Sequence, residues 1–446
     1  MNVANQNKKE EQLKWWQLSL IGIGCTIGTG YFLGSSIGIK VTGASIIFSF
    51  LLAALGTYIV YRLLAKMTAK DPQKGSFCYY SGKAFGRWAG FSCGWNYWTS
   101  NILIMGSQLT ALAILSKFWF PHVPLWLFAS GYAVLSILVV LAGTKGFDRL
   151  ENMMAIAKVA AIVMFIILAI AAIAGWIPGD AQKPSLPLAQ DQLFHDGWKG
   201  FGSSLIYAFY AFGGIEVIGL MAMQLEKKED APKAGSVMLI LLTAIYIASL
   251  VLAVSMTSIS SFNEKESPFV TALSGYDLSF FPHVFNAAII IAGFSTLTAA
   301  LFGVTTLLVT LGEDGDAPKF FAKTTKGKRK LALPSLGLAT AGMLLSIIAA
   351  LILPGKIYEY ITTAAGIMLL YNWSFIILSS LKILKLAVME KMIAVAGILM
   401  LAAAIAGTLL EKTGRSGFFL SLLFAAIIGI MCLVMKKKWE QNESGC

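Results

Sequence analysis

The sequence predicts an all-α membrane protein with about twelve transmembrane helices. Of its 446 residues 57% are hydrophobic, only 13% are charged, and the mean hydropathy is +0.73. Soluble domains carry about 25% charged residues. A helix needs about 20 mostly apolar residues to cross the hydrocarbon core of a bilayer, and such stretches follow one another along the whole chain. This composition does not fit a water-soluble fold, and it leaves no room for a sizeable soluble domain.

Twelve apolar stretches define the predicted helices. The polar segment that precedes the first stretch lacks the basic start, short apolar core and small-residue cleavage site of a secretory signal, so we expect the first helix to be retained. The stretches lie at residues 17–38, 44–61, 88–116, 124–142, 154–175, 201–222, 235–258, 284–311, 334–353, 357–380, 392–409 and 416–435.

The net charge of +12 is explained by membrane topology, so we expect no nucleic acid partner. With these helices, 26 lysines and arginines fall on the side that holds both termini and 8 on the opposite side, while Lys158 lies within a helix. Because basic residues are enriched in cytoplasmic loops, the sequence predicts that both termini are cytoplasmic.

Cysteine and histidine give no indication of a metal or disulfide framework. The five cysteines lie in or beside predicted helices, in one cytoplasmic loop and at the C-terminus, and the three histidines lie near predicted outer loops. We therefore expect no bound metal and no cofactor. The chain also lacks a phosphate-binding loop of the kind that an ATP-driven pump needs, and it lacks a recognisable catalytic constellation. We expect a protein that is not an enzyme.

Glycines cluster near the middle of the first and sixth predicted helices. The first contains Gly28 and Gly30, and the sixth contains the pair Gly213 and Gly214. These helices open two successive five-helix halves, where transporters with an inverted repeat place helices that are broken in the membrane. The freed N–H and C=O groups of a broken helix can bind the carboxylate and ammonium of a zwitterion. Close helix packing is the alternative explanation for the glycines.

Two charged residues lie within predicted helices. An intramembrane lysine costs about 2.5 to 3.5 kcal/mol on insertion scales, so Lys158 is a candidate coupling residue that binds and releases a proton. Its alternative role is a lysine that snorkels to the cytoplasmic interface. Glu216 follows the second glycine pair and could bind a proton, meet the substrate ammonium or pair with Lys158. It could equally cap the second half of a broken helix.

The eighth predicted helix carries hydroxyl side chains that could serve coupling. Ser295, Thr296 and Thr298 could ligate Na⁺ or receive a lysine, and we expect Lys158 to face Gly28 and this segment. The alternative is that these hydroxyl groups bond to the backbone of their own helix, as most serines and threonines in membrane helices do.

Several motifs, in order, resemble the amino acid-polyamine-organocation superfamily of permeases and, within it, the amino acid transporter group. The resemblance runs from about residue 13 to 385. The matching segments are Ile27–Gly34, Pro72–Phe77, Gly94–Trp98, Lys158–Val159, Phe212–Gly219 and Glu313–Lys319.

This resemblance implies a 5+5 inverted repeat with broken helices 1 and 6 plus two extra helices. The domains are then a cytoplasmic tail at 1–16, a ten-helix transport core at 17–380, two additional helices at 381–435 and a cytoplasmic tail at 436–446. The resemblance also implies a substrate site in which the first broken helix holds the carboxylate, carbonyls around the sixth hold the ammonium, and Lys158 occupies the place of a coupling cation. The substrate-binding candidates are Ile27, Gly28, Thr29, Gly30, Phe209, Phe212, Gly213 and Gly214.

The predicted function is secondary active import of a neutral amino acid across the plasma membrane, driven by proton symport through alternating access. An exchanger and a Na⁺-coupled carrier are the nearest alternatives, and a transport-inactive amino acid sensor with the same fold is a third. The expected partners are the amino acid, the proton and the lipid bilayer.

Overall fold

The computed structural model describes residues 13–444 except 74, 180–184, 186, 188, 217–218, 220–224, 326–330 and 353–356. The protein is 82% helical, and its described part contains no β-strand. The helices are α1 Trp15–Thr26, α2 Thr29–Phe32, α3 Gly34–Thr42, α4 Ile46–Lys70, α5 Ser76–Phe85, α6 Arg87–Ser116, α7 Leu125–Leu141, α8 Thr144–Ile173, α9 Gln190–Leu193, α10 Gly197–Ala211, α11 Ala231–Met256, α12 Pro268–Leu273, α13 Phe281–Glu313, α14 Leu333–Ile352, α15 Ile357–Ile383, α16 Val388–Gly407 and α17 Lys412–Ser444.

Eight helical segments in the described part of the chain are long and apolar enough to cross a membrane, and α7 and α14 are shorter apolar helices. The prediction of a multi-pass helical membrane protein is therefore confirmed. The total of about twelve spans, the inverted repeat and the domain boundaries stay predictions. The eight segments are Thr29–Lys70, Arg87–Ser116, Met153–Ile173, Lys228–Met256, Phe281–Glu313, Tyr358–Ile383, Val388–Leu410 and Lys412–Lys436.

Helix α6 lies at the centre of the bundle, where it packs against α13 and α15. Its most apolar stretch is 89% buried, whereas that of α17 is only 17% buried. Small residues allow this close packing: a Cβ atom at Gly94 would lie 2.9 Å from Leu311 Cδ2 of α13. Helix α1 packs against α8 and α11, and α10 packs against α3 and α4. The two glycine-rich helices are therefore enclosed by other helices.

The loop after α13 is held against the start of α6 by a polar cluster. Arg87 Nε donates a 3.0 Å hydrogen bond to Asp316 Oδ1, and Arg87 Nη2 donates to the Asp314 carbonyl at 3.0 Å. Trp95 Nε1 donates to the Asp316 carbonyl at 3.0 Å. Partial burial raises the pKa of Asp316, and the nearby Arg87 guanidinium opposes this shift. These contacts join the Gly94–Trp98 and Glu313–Lys319 motifs, although they lie far apart in sequence.

Candidate functional site

The first helix is interrupted at Ile27 and Gly28. Helix α1 ends at Thr26, Ile27 and Gly28 have extended backbones, and α2 begins at Thr29. The break is deeply buried: Ile27 and Thr29 have no exposed surface. The last carbonyl groups of α1 and the first N–H groups of α2 lack the partners that a continuous helix would provide. Both kinds of group therefore face the interior of the bundle.

The second interruption follows α10, which ends at Ala211. Phe212, Gly213 and Gly214 form a turn in which Gly214 has φ +107°, a left-handed conformation that favours glycine. A Cβ atom on Gly214 would lie 3.0 Å from the Cys25 carbonyl oxygen at the end of α1. The backbones of the two breaks are therefore in direct contact, and a side chain at Gly214 would separate them.

Gln108 of α6 contacts the first break, and the sequence analysis missed this residue. Thr29 Oγ1 donates a 2.5 Å hydrogen bond to Gln108 Oε1, and a Cβ atom on Gly28 would lie 3.4 Å from Gln108 Nε2. On the other side of Gly28, that same Cβ position is 3.1 Å from Thr296 Oγ1 of α13. Burying an amide side chain within an apolar membrane helix costs free energy, so such a residue is a candidate for a functional role. That criterion could have selected Gln108 from the sequence.

Lys158 of α8 contacts the end of α1. Its side chain has no exposed surface, and Nζ donates a 2.5 Å hydrogen bond to the Gly24 carbonyl oxygen. The sequence predicted that Lys158 faces Gly28. Gly24 lies one helical turn before that residue. A cation is stabilised at this position because the free carbonyls at a helix C-terminus carry partial negative charge. Lys158 therefore contacts the broken helix instead of extending to the membrane interface.

Glu216 turns back toward the second break. Its carboxylate accepts hydrogen bonds from the Gly214 N–H at 3.2 Å and from Trp373 Nε1 of α15 at 3.4 Å. The side chain is 3% exposed. The contact with Gly214 corresponds to the capping role that the sequence left open. The contact with Trp373 additionally ties the second break to α15.

The aromatic candidates at the second break pack away from the glycines. The Phe209 ring lies 6.2 Å from the Trp373 ring, and the Phe212 ring lies 5.3 Å from the Tyr246 ring. The Phe209 carbonyl accepts a hydrogen bond from the Phe212 N–H at 3.0 Å. A carbonyl oxygen has a second lone pair, so it can still accept from a ligand. These residues can offer backbone carbonyls to an ammonium group, while their rings form the surrounding core.

The predicted hydroxyl residues of α13 are buried, and their side chains have different neighbours. The Thr298 hydroxyl donates to the Ser295 carbonyl of its own helix at 2.8 Å. Bonding to the backbone of the same helix was the alternative to a coupling role. Thr296, another of the three hydroxyl candidates, lies against Gly28, and Gly293 lies against Thr29: a Cβ atom on Gly293 would be 2.6 Å from Thr29 Cγ2. Gly293 and Thr296 therefore lie on the face of α13 that meets the first break.

We expect Gln108→Met to weaken substrate binding about tenfold. The substitution keeps a similar volume but removes the acceptor of the Thr29 hydroxyl, and an unsatisfied buried hydroxyl costs about 1 to 3 kcal/mol. Thr110→Val is the matched control, because the Thr110 hydroxyl bonds to the Gly106 carbonyl of its own helix. Binding of a labelled neutral amino acid, the substrate class that the sequence predicts, to purified protein measures the effect. Wild-type affinity in Gln108→Met, or an equal loss in Thr110→Val, would contradict this role.

Comparison with known proteins identifies the family. The amino acid permease family model matches residues 17–436. The chain is 53% identical over 442 residues to the uncharacterized transporter YcgH of Bacillus subtilis, with 98% of this chain and 99% of that protein covered. It is 30% identical to the aromatic amino acid transport protein AroP of Corynebacterium glutamicum and 28% identical to AroP of Escherichia coli. These alignments cover 84% and 83% of this chain and 81% of each relative. The chain therefore belongs to the amino acid permease family, within the amino acid-polyamine-organocation superfamily that its motifs resemble.

Proposed function

We propose that this permease imports a neutral amino acid across the plasma membrane by proton symport through alternating access, with both termini in the cytoplasm. The observation that carries the proposal is the direct contact of two buried helix breaks, in which Gly214 lies against the Cys25 carbonyl. Unpaired backbone groups are costly within a membrane unless they line a cavity or meet a ligand. A zwitterion supplies both charges that such groups bind.

The substrate carboxylate binds at the first break, where the N–H groups of Thr29 and Gly30 begin a new helix. Anions are stabilised at helix N-termini because the N–H groups point toward them. The ammonium group binds the carbonyls around Phe209 and Phe212 at the end of α10. The resemblance to the superfamily supports this assignment, as does the burial of Thr29, Gly30, Phe209 and Phe212.

Lys158 couples transport to the proton. When it is protonated, its ammonium group holds the Gly24 carbonyl and joins α8 to α1. When it is deprotonated, it loses one donor and its charge, so the contact weakens and one side of the transporter opens. A ligand or proton shifts such an equilibrium only through different contacts in the two states. Exchange and Na⁺ coupling remain the alternative mechanisms.

The substrate side chain is neutral. Among the described residues, Lys158 and Glu216 contact the breaks with charged side chains, and both already have hydrogen-bond partners. A charged substrate would therefore enter an apolar site without a counter-ion, which is costly. The AroP relatives are named as transporters of aromatic amino acids, so phenylalanine, tyrosine and tryptophan are the first candidates.

We expect neutral amino acids to displace labelled phenylalanine at least tenfold better than arginine or glutamate. The physical reason is the missing counter-ion, since an unpaired buried charge costs more than the 1.4 kcal/mol that corresponds to tenfold affinity. Competition curves with phenylalanine, leucine, alanine, arginine and glutamate provide the measurement. If arginine or glutamate competes better than the neutral amino acids, the assigned substrate class is wrong.

Uptake into proteoliposomes tests transport itself. Vesicles that contain the protein should take up labelled phenylalanine or leucine faster than protein-free vesicles, and unlabelled substrate should abolish the difference. A protein that binds a neutral amino acid but gives no uptake, with or without an imposed ion gradient, would be a sensor. A protein that neither binds nor transports any of the twenty amino acids would contradict the proposed function.

A further inference from the structure

A groove runs along the outer surface of the bundle between α4 and α11. Its volume is about 550 Å³, within the range of roughly 300 to 1,000 Å³ that ligand clefts occupy. Leu51, Ala54 and Tyr58 line one wall, and Ile240, Ala244 and Ala248 line the other. The groove belongs neither to the breaks in α1 and α10 nor to the Lys158 contact.

The groove is open because small alanine side chains lie between larger residues. Ala54 is buried, while the flanking side chains of Leu51 and Ile240 are 44% and 64% exposed. Both walls belong to helices that are apolar enough to span the membrane. The groove therefore opens toward the hydrocarbon core of the bilayer, and an elongated apolar ligand is the chemical class that fits it.

Exposed cations stand at one end of this groove. Arg62 follows Tyr58 by one helical turn on α4, and Lys233 precedes Ile240 by two turns on α11. The two helices are held at a common level there, because the Gly235 N–H donates to Tyr61 Oη at 3.1 Å and the Tyr61 hydroxyl donates to the Ala231 carbonyl. Arg62 and Lys233 thus flank the same end of the groove, on the side predicted to be cytoplasmic.

Acidic side chains lie near both cations: Glu390 is near Arg62, and Glu229 and Asp230 precede Lys233 by four and three residues. Among the described residues, only Glu390 forms an ion pair with either cation. Glu390 pairs with Lys66 and also lies 3.6 Å from Arg62 Nη2, so one carboxylate serves two basic side chains. The Arg62 side chain stays 46% exposed. The Lys233 ammonium lies 4.1 Å from the centre of the Trp15 ring, at an exposed position. Guanidinium and ammonium groups can therefore both bind a phosphate at this level of the membrane.

We propose that the groove between α4 and α11 is a binding site for an anionic phospholipid of the cytoplasmic leaflet. One acyl chain lies between Leu51 and Ile240 over the small alanine side chains, and the headgroup phosphate is held by Arg62 and Lys233. Basic pockets between membrane helices on the cytoplasmic side bind anionic headgroups in this way. The site combines an apolar trench with cations at the matching end, which an uncharged or zwitterionic lipid would use only in part.

Two variant classes test the two halves of the site. Arg62→Gln/Lys233→Gln removes the cations, and Ala244→Leu/Ala248→Leu fills the trench without changing the charge. The matched controls are Lys385→Gln, an exposed lysine near the end of α15, and Ala402→Leu, an exposed alanine of α16. Full-length protein in mild detergent is titrated with phosphatidylglycerol or phosphatidylcholine, and bound lipid is counted by native mass spectrometry.

We expect wild-type protein and both controls to retain phosphatidylglycerol in preference to phosphatidylcholine. Each cation removed should weaken phosphatidylglycerol binding about fivefold, and the trench variant should lose binding of both lipids. Equal retention of the two lipids, or unchanged phosphatidylglycerol binding in both variants, would overturn the proposal. So would a mass equal to two copies of the chain that the trench variant converts to one, because the groove would then be a subunit interface. Labelled phenylalanine binding, measured on the same samples, shows whether each variant is folded.

Discussion

Lys158→Ala is expected to abolish the accumulation of substrate that a pH gradient drives, which is the largest effect that we predict. One pH unit across the membrane is worth about 1.4 kcal/mol per proton, enough for about tenfold accumulation. Without the lysine the proton no longer changes the contact with the Gly24 carbonyl, so the internal and external substrate concentrations should approach a ratio of about one.

Lys158→Arg separates charge from proton release. A guanidinium group keeps its proton at any physiological pH, so the variant retains a cation beside α1 but cannot release it. We expect impaired net uptake, while exchange of internal for external substrate survives in this variant and in Lys158→Ala. A purely structural lysine predicts the opposite pattern, because arginine would then restore uptake.

The measurement is uptake into proteoliposomes with and without an imposed pH gradient, at equal protein loading. Lys199→Ala is the matched control, since Lys199 is exposed and lies far from α8 in sequence. The coupling role is lost if Lys158→Ala still concentrates substrate on a pH gradient. It is also lost if wild-type accumulation ignores the pH gradient and follows a Na⁺ gradient, which would favour the Na⁺-coupled alternative.

Gly30→Val should reduce substrate affinity about tenfold or more while expression continues. A Cβ atom at Gly30 would lie 2.8 Å from Tyr210 Cδ1, a distance that side chains do not tolerate. Overpacking of this kind costs about 1 to 3 kcal/mol. Because Tyr210 lies on α10, the strain would displace the first break from the second, and the unpaired groups would no longer converge on one ligand.

Gly213 and Gly214 are expected to differ. A Cβ atom at Gly213 would lie 2.9 Å from Leu369 Cδ2, the flexible end of a side chain, and 3.1 Å from the Tyr210 carbonyl. At Gly214 the neighbour is the Cys25 backbone, and φ is +107°. We therefore expect Gly213→Val to weaken binding and Gly214→Val to abolish it.

Gly34→Ala provides the control for the glycine series, because no atom apart from the adjacent backbone of its own helix lies within 4 Å of the Cβ position at Gly34. Thermal stability with and without phenylalanine reports both folding and binding, since a ligand stabilises the protein that binds it. Unchanged ligand stabilisation in both Gly30→Val and Gly214→Val would show that the two breaks do not form the substrate site.

Composition and the position of glycine were sufficient to predict the class of the protein and the weak points of two helices. Eight segments of the described chain are long and apolar enough to cross a membrane, a property that local composition determines. Helix α1 ends at Thr26 and α10 ends at Ala211, beside the predicted glycine clusters. Glycine weakens a helix through its own backbone freedom, so this property too is local.

Only the tertiary structure decided which groups meet at these breaks. Gln108 reaches Thr29 across 79 residues of sequence, and Lys158 reaches Gly24 across 134. Thr296 faces Gly28, whereas Thr298, two residues later on the same helix, bonds to its own backbone. The direction of a side chain depends on how its helix is rotated and packed against the neighbouring helices. The spacing of residues along the sequence does not determine that rotation.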